Sequence, residues 1–317
     1  MLDAQTIKCK IEESIFNLIE QDKNLAESIK YIMSLPSKSI RPILLILSSQ
    51  IFDGNYNNSL DAALAIELFH NFTLVHDDIM DKAPLRRGKE TIHKRWGTNT
   101  AILSGDILLI KAYQQLAKIN SKNNKYIFKI FTEAALKICK GQDLDLQYEQ
   151  IDNITKAQYL EVIKLKTGVL LGASMQIGAL TADCPDYEHS QQLYNIGENL
   201  GVAFQLQDDL FDLYPPANFG KTIGGDIIAN KKTIFSIMLN SKAGQKTQNN
   251  LNDIKKLSAD QKIKETKAIL DSLNAEAIIK EEIAHILEKS LNSLKYINGS
   301  VTALNQIETF INKLIKA

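Results

Sequence analysis

The chain contains little proline and glycine. Of its 317 residues, 6 are proline and 15 are glycine, and the stretches 85–184 and 217–317 contain no proline. Folds built from many short strands need frequent turn residues, and these two types supply many of them. The shortage excludes a β-sandwich or a loop-rich α/β fold and favours long helices.

Cysteine is also scarce, and neither sign of charge is in excess. The three cysteines, Cys9, Cys139 and Cys184, form no CxxC spacing, which argues against a disulfide framework and a cysteine-based zinc site. Lys and Arg total 37, as do Asp and Glu, so the net charge is zero. A general nucleic-acid binder would be basic, and we therefore expect no nucleic-acid partner.

Long apolar runs are missing as well. The longest strongly apolar run, near 43–47, is far shorter than the ~18 residues of a membrane-spanning helix. Residues 1–14 are charged and contain no apolar stretch, so no signal peptide is predicted. We expect a soluble, cytoplasmic protein with no membrane span. With 44% hydrophobic residues, the simplest interpretation is one all-α domain over residues 1–317 with about ten helices.

Apolar periodicity places the longest helices. Between residues 60 and 80 apolar side chains recur every three or four positions, which predicts a helix that ends near Ala83, because Pro84 follows. Further helices are predicted over 155–182 and 191–214, and loops over 82–95 and 215–232.

Two similar acidic clusters stand at the predicted ends of two helices. They are DDIMD at 77–81 and DDLFD at 208–212, and in each the first and last aspartates lie one helical turn apart on one face. Such like charges repel by a few tenths of a kcal/mol, and the helix dipole disfavours each anion there by about 0.3–1 kcal/mol. Two copies of so unfavourable an arrangement indicate bound divalent cations, and carboxylate oxygens suit Mg²⁺.

Basic residues around the clusters fit such a cation. Mg²⁺ usually binds one or two carboxylates together with substrate phosphates, and arginine and lysine bind phosphate. His70 and Gln205 fall on the aspartate faces of their helices. Gly197 and Gly201 continue the row of Gln205, where they could leave space for a long apolar ligand or permit close helix packing. The candidate phosphate-binding residues near the clusters are Lys38, Arg41, Arg86, Arg87, Lys89, Lys94, Arg95, Lys221, Lys231 and Lys232.

Two other patterns point elsewhere. The pairs Glu67/His70 and Glu282/His285 have the Glu-x-x-His spacing of di-iron helical bundles, but a di-iron site would leave both aspartate clusters unexplained. The GKT sequence at 220–222 is not a P-loop, because Pro215 stands where that motif needs glycine.

Several sequence blocks resemble those of the trans-isoprenyl diphosphate synthases (polyprenyl synthetases), short-chain type, such as geranylgeranyl or farnesyl diphosphate synthase. The blocks span residues 38–233 in the order of that family: SKSIRP, LVHDDIMDKAPLRRG, AILSGD, GQDLDL, KLKTG, FQLQDDLFD and GKTIGGD…NKKT. The resemblance implies a single large all-α helical bundle around a deep central cavity, the isoprenoid synthase type I fold. It also implies a homodimer, with the two aspartate motifs facing each other across the cavity.

The resemblance also assigns roles to residues. The implied metal ligands for Mg²⁺, about three ions per active site, are Asp77, Asp81 and Asp208, with Asp78 and Asp212 in support. The implied contacts to the allylic diphosphate are Arg86, Lys166, Thr167, Gln205, Lys221 and Lys231. The implied isopentenyl diphosphate contacts are Lys38, Arg41, His70 and Arg87, and Gln142 and Asp145 match the GQxxD block. The residues expected to be catalytic are Asp77, Asp81, Asp208, Lys166 and Arg86.

The implied reaction is a Mg²⁺-dependent prenyl transfer. An allylic diphosphate (dimethylallyl, geranyl or farnesyl) condenses with isopentenyl diphosphate to give a short-chain, C15–C20, all-trans product. A class I terpene cyclase and a non-catalytic helical partner subunit are the alternatives. The chain departs from the family pattern at Ser37 and Ser39, where glycine and a second basic residue are usual.

The resemblance places the control of product length at Phe72 and Thr73. Phe72 lies five residues before Asp77, about 7.5 Å along the helix axis, where its ring could close the floor of the cavity. The alternative is that Phe72 simply belongs to the apolar stripe of its helix.

Overall fold

A computed structural model describes residues 1–21, 27–184, 187–216, 223–242 and 257–316. In these ranges nearly all regular structure is helical, which confirms the all-α fold class. The α-helices are α1 (Ala4–Gln21), α2 (Glu27–Ser34), α3 (Ile40–Gln50), α4 (Tyr56–Met80), α5 (Ile92–Trp96), α6 (Thr98–Leu116), α7 (Asn124–Glu149), α8 (Lys156–Ile163), α9 (Val169–Thr181), α10 (Tyr187–Leu213), α11 (Gly225–Ile228), α12 (Ile234–Lys242), α13 (Ala259–Ser272), α14 (Ala275–Leu294) and α15 (Val301–Lys316). This is more than the expected ten, because several are short.

The fold divides into two compact units. The first comprises residues 1–134, 170–197 and 294–317, and the second comprises 135–169 and 198–293. In the first unit α4 packs against α3 and α6, and α15 packs against α3. In the second unit α13 packs against α11 and α12, and α8 packs against α12. The first aspartate motif belongs to the first unit and the second motif to the second unit. The single domain over 1–317 stays a prediction.

The C-terminal end of α4 is fixed by backbone hydrogen bonds. Ala83 donates its N–H to the carbonyl of Asp78 (3.0 Å), and Lys82 donates to that of Ile79 (3.2 Å). Lys82 has φ 52°, so the end has the pattern of a Schellman motif, with Pro84 just beyond it. The predicted end of this helix near Ala83 is confirmed, and the first aspartate motif occupies its last turn.

The segment predicted as a loop over 82–95 contains a hairpin. Strands β1 (Leu85–Arg86) and β2 (Lys89–Glu90) pair antiparallel, and α5 begins two residues later. The two residues between the strands, Arg87 and Gly88, have φ values of 53° and 74°. Positive φ at both positions is the type I′ turn, which matches the twist of a two-stranded hairpin. The prediction of an irregular loop is therefore wrong for these residues.

The helix predicted over 155–182 has an irregular centre. It starts with a capping box, in which Thr155 and Gln158 each accept a hydrogen bond from the backbone N–H of the other. Between α8 and α9, residues Lys164–Gly168 form one π-helical turn. The predicted extent is confirmed, whereas nothing in the apolar period indicated the π turn, a feature that is frequent at functional sites.

The glycines of α10 allow close helix packing. A Cβ atom added to Gly201 would lie 2.4 Å from Cα of Gly168, within the second unit. A Cβ atom on Gly197 would lie 2.6 Å from the carbonyl oxygen of Leu171, within the first unit. Of the two explanations for this glycine row, the structure shows close packing.

None of the described helices is both long and apolar enough to cross a membrane.

Candidate active site

The first aspartate motif holds an arginine through its second carboxylate. Asp78 is only 2% exposed and accepts two hydrogen bonds from Arg86, from Nε (3.0 Å) and from Nη2 (2.6 Å). Burial raises the pKa of Asp78, and the hydrogen bond and charge of Arg86 oppose that rise. Asp81 is exposed and Asp77 is partly buried. Asp78 therefore orients Arg86, and its supporting role toward metal stays a prediction.

The second motif has the same arrangement. Asp209 is 4% exposed and accepts hydrogen bonds from Tyr159 Oη (2.7 Å), Gln205 Nε2 (3.1 Å) and the backbone N–H of Ile234 (3.2 Å). Burial raises the pKa of Asp209 to about 7, although these hydrogen bonds oppose the rise. Asp208 is exposed. In each motif, the second aspartate points inward because consecutive helical residues are about 100° apart, which leaves the first and fifth on the outer side.

Asp212 joins the end of α10 to the start of α11. Its carboxylate accepts a hydrogen bond from the N–H of Asp226 (3.2 Å), and its carbonyl accepts one from Gly224 (2.7 Å). Burial raises the pKa of Asp212, and the charge of Asp226 adds to the rise. Lys231 pairs with Asp226 over 3.4 Å, so this basic residue lies near the second motif. Lys221 lies outside the described residues.

A group of mostly half-buried basic residues adjoins the first motif. Arg41 donates from Nη1 to Nε2 of His70 (3.0 Å), and Arg87 donates from Nη1 to the carbonyl of Leu35 (3.2 Å). Burial lowers the pKa of Arg41 to about 10. Burial, and then the charges of Arg41 and Arg87, hold the pKa of His70 well below its ordinary value. His70 is therefore neutral and accepts from Arg41. Lys38, on the loop before α3, is exposed.

Sequence reasoning missed the function of Glu67 in this group. The carboxylate is 3% exposed and accepts a hydrogen bond from Ser37 Oγ (3.2 Å), which lies 3.0 Å from Ser39 Oγ. Burial raises the pKa of Glu67, and the charges of Arg41 and Arg87 lower it. Glu67 thus balances the charge of two arginines and anchors the loop at residues 37–39 before α3. Its position on α4, three residues before His70, was the available signal.

The π turn carries two of the predicted diphosphate contacts. Lys166 Nζ forms an ion pair with Asp145 of α7. Thr167 Oγ1 donates to Gln205 Oε1 (3.3 Å). The structure therefore brings the KTG block together with the GQxxD block and with α10 inside the second unit.

Gln142 of the GQxxD block has a buried amide group. It is 7% exposed, and neither atom of its amide group has a hydrogen-bond partner among the described residues. The preceding Gly141 permits close contact with the π turn, because an added Cβ atom would lie 2.7 Å from Cβ of Leu165. The block thus packs directly on the turn that carries Lys166.

The predicted chain-length residues occupy defined positions on α4. The ring of Phe72 lies 5.4 Å from that of Phe69 and 4.8 Å from that of His76. Gly105 makes room for His76, since an added Cβ atom would lie 2.2 Å from its Nε2. Thr73 Oγ1 donates to the carbonyl of His70 (2.8 Å). The orientation of Phe72 is therefore fixed by its neighbours, while its role in product length stays a prediction.

The first unit also contains a cavity of about 590 Å³. Its walls come from α1, α2, the loop before α3 and residues of α4 and α5. Ser37, Glu67 and Arg87 lie in its wall, but none of the predicted metal ligands does. The predicted deep cavity between the aspartate motifs stays a prediction.

A family model described as polyprenyl synthetase matches residues 22–273. The chain belongs to the polyprenyl synthetase family. Among curated relatives, a short chain isoprenyl diphosphate synthase of Methanocaldococcus jannaschii is 35% identical over 298 residues, 93% of this chain and 85% of that protein. A geranylgeranyl diphosphate synthase of Sulfolobus acidocaldarius is 35% identical over 299 residues, 90% of this chain and 85% of that protein.

Solved structures agree with this assignment. The crystal structure of a geranylgeranyl pyrophosphate synthetase from Pyrococcus horikoshii has a TM-score of 0.90 and 31% identity, and the match covers 98% of this chain and 96% of that one. The expected family, fold and class of enzyme, a prenyltransferase, are confirmed. Membership of the family also decides against the di-iron interpretation.

The polyprenyl synthetase family uses a divalent metal and diphosphate substrates. The carboxylate oxygens of the two aspartate motifs are donor atoms that suit such a metal. Within the described part of the chain, no group of three or more His, Cys, Asp and Glu side chains could hold a metal ion alone. Mg²⁺ does not need such a group, because it binds one or two carboxylates and completes its shell with phosphate oxygens and water. Two outer aspartates in each motif fit this requirement.

Proposed function

We propose that this protein catalyses the Mg²⁺-dependent condensation of an allylic diphosphate with isopentenyl diphosphate to give a C15–C20 all-trans prenyl diphosphate. The observation that carries the proposal is the arrangement shared by the two motifs. In each, the second aspartate is buried and hydrogen-bonded, while the first and fifth stand on the outer side of a helix C-terminus. That position is unfavourable for carboxylates without cations.

The outer aspartates are the proposed metal ligands. Asp77, Asp81 and Asp208 bind Mg²⁺ directly, and Asp212 supports them while it holds the start of α11. When bound, Mg²⁺ stabilises the negative charge that develops on the departing diphosphate. We assign to Asp78 the orientation of Arg86, because both of its described hydrogen bonds come from that side chain.

Two of the proposed allylic-diphosphate contacts are already held in place. Asp78 orients Arg86, and Asp145 orients Lys166. Side chains that are ordered before binding lose less conformational entropy when they bind a ligand. Lys221 and Lys231 complete the proposed set of cations around this diphosphate.

Isopentenyl diphosphate is the proposed ligand of the cations in the first unit. Lys38, Arg41 and Arg87 would contact its phosphates, and neutral His70 orients Arg41 by accepting its hydrogen bond. Glu67 balances the charge of the two arginines while the diphosphate is absent. Arginine suits this task because its planar group can bind phosphate oxygens in pairs.

The proposed reaction needs no protein nucleophile. The C–O bond of the allylic substrate breaks, the double bond of isopentenyl diphosphate supplies the electrons of the new C–C bond, and a proton passes to the released pyrophosphate. The oxygens of Thr167 and Gln205 are partially negative and would stabilise the allylic cation. Water must be excluded, because it would react with that cation.

We further propose a homodimer. Helix α6 exposes Ile102, Leu103 and Ile110 by 42%, 61% and 58%, an apolar surface that a second copy could cover. Sedimentation velocity of the wild type and of Leu103→Asp would test this, with a dimer expected for the first and a monomer for the second. A monomeric wild type would contradict it. The cytoplasmic location stays a prediction.

Product analysis tests the proposed reaction. The purified protein would be incubated with Mg²⁺, isopentenyl diphosphate and each of the dimethylallyl, geranyl and farnesyl diphosphates, and the products would be sized after dephosphorylation. We expect C15–C20 alcohols, and none when the metal is chelated. Formation of a cyclic hydrocarbon without isopentenyl diphosphate would indicate the terpene cyclase instead. No product from any primer would favour a non-catalytic partner subunit.

A further inference from the structure

A chain of hydrogen bonds leads from the π turn into the core of the second unit. Thr167 Oγ1 donates to Oε1 of Gln205 (3.3 Å), and Nε2 of Gln205 donates to Oδ1 of Asp209 (3.1 Å). The other oxygen of Asp209 accepts from Tyr159 Oη (2.7 Å) and from the N–H of Ile234 (3.2 Å). This chain joins α8, the π turn, α10 and α12.

The chain determines which way the amide of Gln205 faces. Nε2 of Gln205 donates to Oδ1 of Asp209, so the NH₂ group of Gln205 faces Asp209. Its carbonyl oxygen then faces the opposite way, toward Thr167. Rotation of the amide by 180° would turn its carbonyl oxygen toward the acceptor oxygen of Asp209 and lose that hydrogen bond. The hydroxyl of Thr167 can donate or accept, so Asp209 is the partner that selects the orientation.

Tyr159 is well suited to hold Asp209. It is 3% exposed on α8, and its hydroxyl reaches the carboxylate oxygen that Gln205 does not use. Burial raises the pKa of Tyr159 well above its ordinary value, and the charge of Asp209 adds to the rise, so the hydroxyl remains a donor. Without this donor, only the longer hydrogen bond from the N–H of Ile234 would hold that oxygen, and the carboxylate of Asp209 could rotate away from Gln205.

We propose that Tyr159 is a positioning residue that, through Asp209, holds the carbonyl oxygen of Gln205 toward the allylic substrate. The inference deepens the proposed function and rests on it. A correctly directed oxygen stabilises the allylic cation in the transition state, whereas an amide turned the other way would present N–H groups to positive charge. Tyr159 therefore affects the chemical step and not the binding of either diphosphate.

The first test is kinetic. Tyr159→Phe should lower kcat roughly ten-fold and leave KM for both substrates within about two-fold, because the lost interaction matters mainly in the transition state. Tyr214→Phe is the matched control, since it removes a comparable tyrosine–aspartate bond (Tyr214 Oη to Asp271, 2.8 Å) in the same unit. The control should lose similar thermal stability and keep its kcat. An unchanged kcat in Tyr159→Phe, or an equal loss in both variants, would overturn the proposal.

A double-mutant cycle separates positioning from general destabilisation. In a Gln205→Leu background there is no amide to orient, so Tyr159→Phe should cause no further loss of kcat. If Tyr159 acted only on stability, its effect would multiply with that of Gln205→Leu, and the proposal would be wrong.

A spectroscopic measurement tests the role of Tyr159 independently of the proposed enzymatic activity. In protein labelled with ¹⁵N-glutamine, the side-chain NH₂ signals of Gln205 are identified by their absence in Gln205→Leu. Tyr159→Phe should shift both signals, and Tyr214→Phe should leave them in place. Unshifted signals would refute the role of Tyr159 whatever the enzyme catalyses. Shifted signals in a protein without prenyl transfer would refute the proposed function alone.

Discussion

Arg41 donates a hydrogen bond from Nη1 to Nε2 of His70 over 3.0 Å. An imidazole nitrogen that accepts a hydrogen bond carries no proton, so this contact requires the neutral form of His70 with its proton on Nδ1. Burial and the charges of Arg41, Arg87 and Arg86 all lower the pKa of His70. A histidine between arginines is thus kept as an acceptor.

The first prediction concerns stability at acidic pH. Because the pKa of His70 is lower in the folded than in the unfolded chain, the unfolded chain binds more protons below about pH 6.5. The contribution of this group to the free energy of unfolding is complete above that pH. It is lost as the pH falls toward the folded pKa, with a slope of at most about 1.4 kcal/mol per pH unit.

Urea unfolding of the wild type and of His70→Gln between pH 5 and pH 8 would measure this loss. The difference in unfolding free energy between the two proteins should change below about pH 6.5. Subtracting the variant removes the opposite contributions of Glu67 and Asp209, whose pKa values are raised. A difference that does not vary with pH would contradict the neutral histidine.

The second prediction contrasts two neighbouring aspartates. Asp77→Ala should abolish turnover and leave the melting temperature unchanged or higher, because it removes one of the repelling carboxylates at a helix C-terminus. Asp78→Ala should lower the free energy of unfolding by about 1–3 kcal/mol, because it leaves Arg86 without its partner. Calorimetry and the product assay would measure both effects.

Asp208→Ala extends this comparison to the second motif. It should behave like Asp77→Ala, with activity lost and the fold retained. Full activity in either of these two variants would refute the metal assignment.

The third prediction concerns product length. Phe72→Ala should lengthen the product, because it removes the ring proposed to close the floor. Phe69 lies next to that ring, so Phe69→Ala combined with Phe72→Ala should lengthen the product further. Chromatography of the dephosphorylated products gives the answer, and an unchanged distribution in both variants would count against the floor role. Tyr113→Ala, which removes another aromatic ring from the same unit, is the control and should leave the product length unchanged.

The fourth prediction concerns the loop at residues 37–39 before α3. Ser37→Gly removes the hydroxyl that donates to Glu67 and frees the backbone before Lys38. We expect KM for isopentenyl diphosphate to rise several-fold while KM for the allylic substrate and kcat stay near wild type, because only the ordering of one phosphate site changes. Ser34→Gly, at an exposed serine of α2, is the control. Equal effects on both KM values would show that this loop does not act on the isopentenyl diphosphate site alone.

The sequence indicated much of this fold because its strongest signals are local. Apolar periodicity and the prolines at 84 and 215 placed both motifs at helix C-termini, and the aspartate spacing placed the first and last aspartates of each motif on one face. The hairpin could have been predicted, since Arg87 and Gly88 form a two-residue turn between short extended segments.

Other parts of the site depend on contacts between distant residues. The bond from Tyr159 to Asp209 joins residues 50 positions apart, and the bond from Ser37 to Glu67 joins residues 30 apart. Hydrophobic pattern says nothing about such pairs, and the buried state of Glu67 and Asp209 follows only from packing. The second aspartate of each motif was therefore the least predictable member of the site.

The π turn at 164–168 has a consequence for how this enzyme tolerates change in its gene. A π turn holds one residue more than an α turn, so deletion of one residue there would restore an uninterrupted α-helix. The flanking segments would keep their orientation, and Tyr159 and Gly172 would still meet their neighbours. What would vanish is the local widening that displays Lys166 and Thr167. Deletion of a single codon would thus abolish catalysis while the fold is retained.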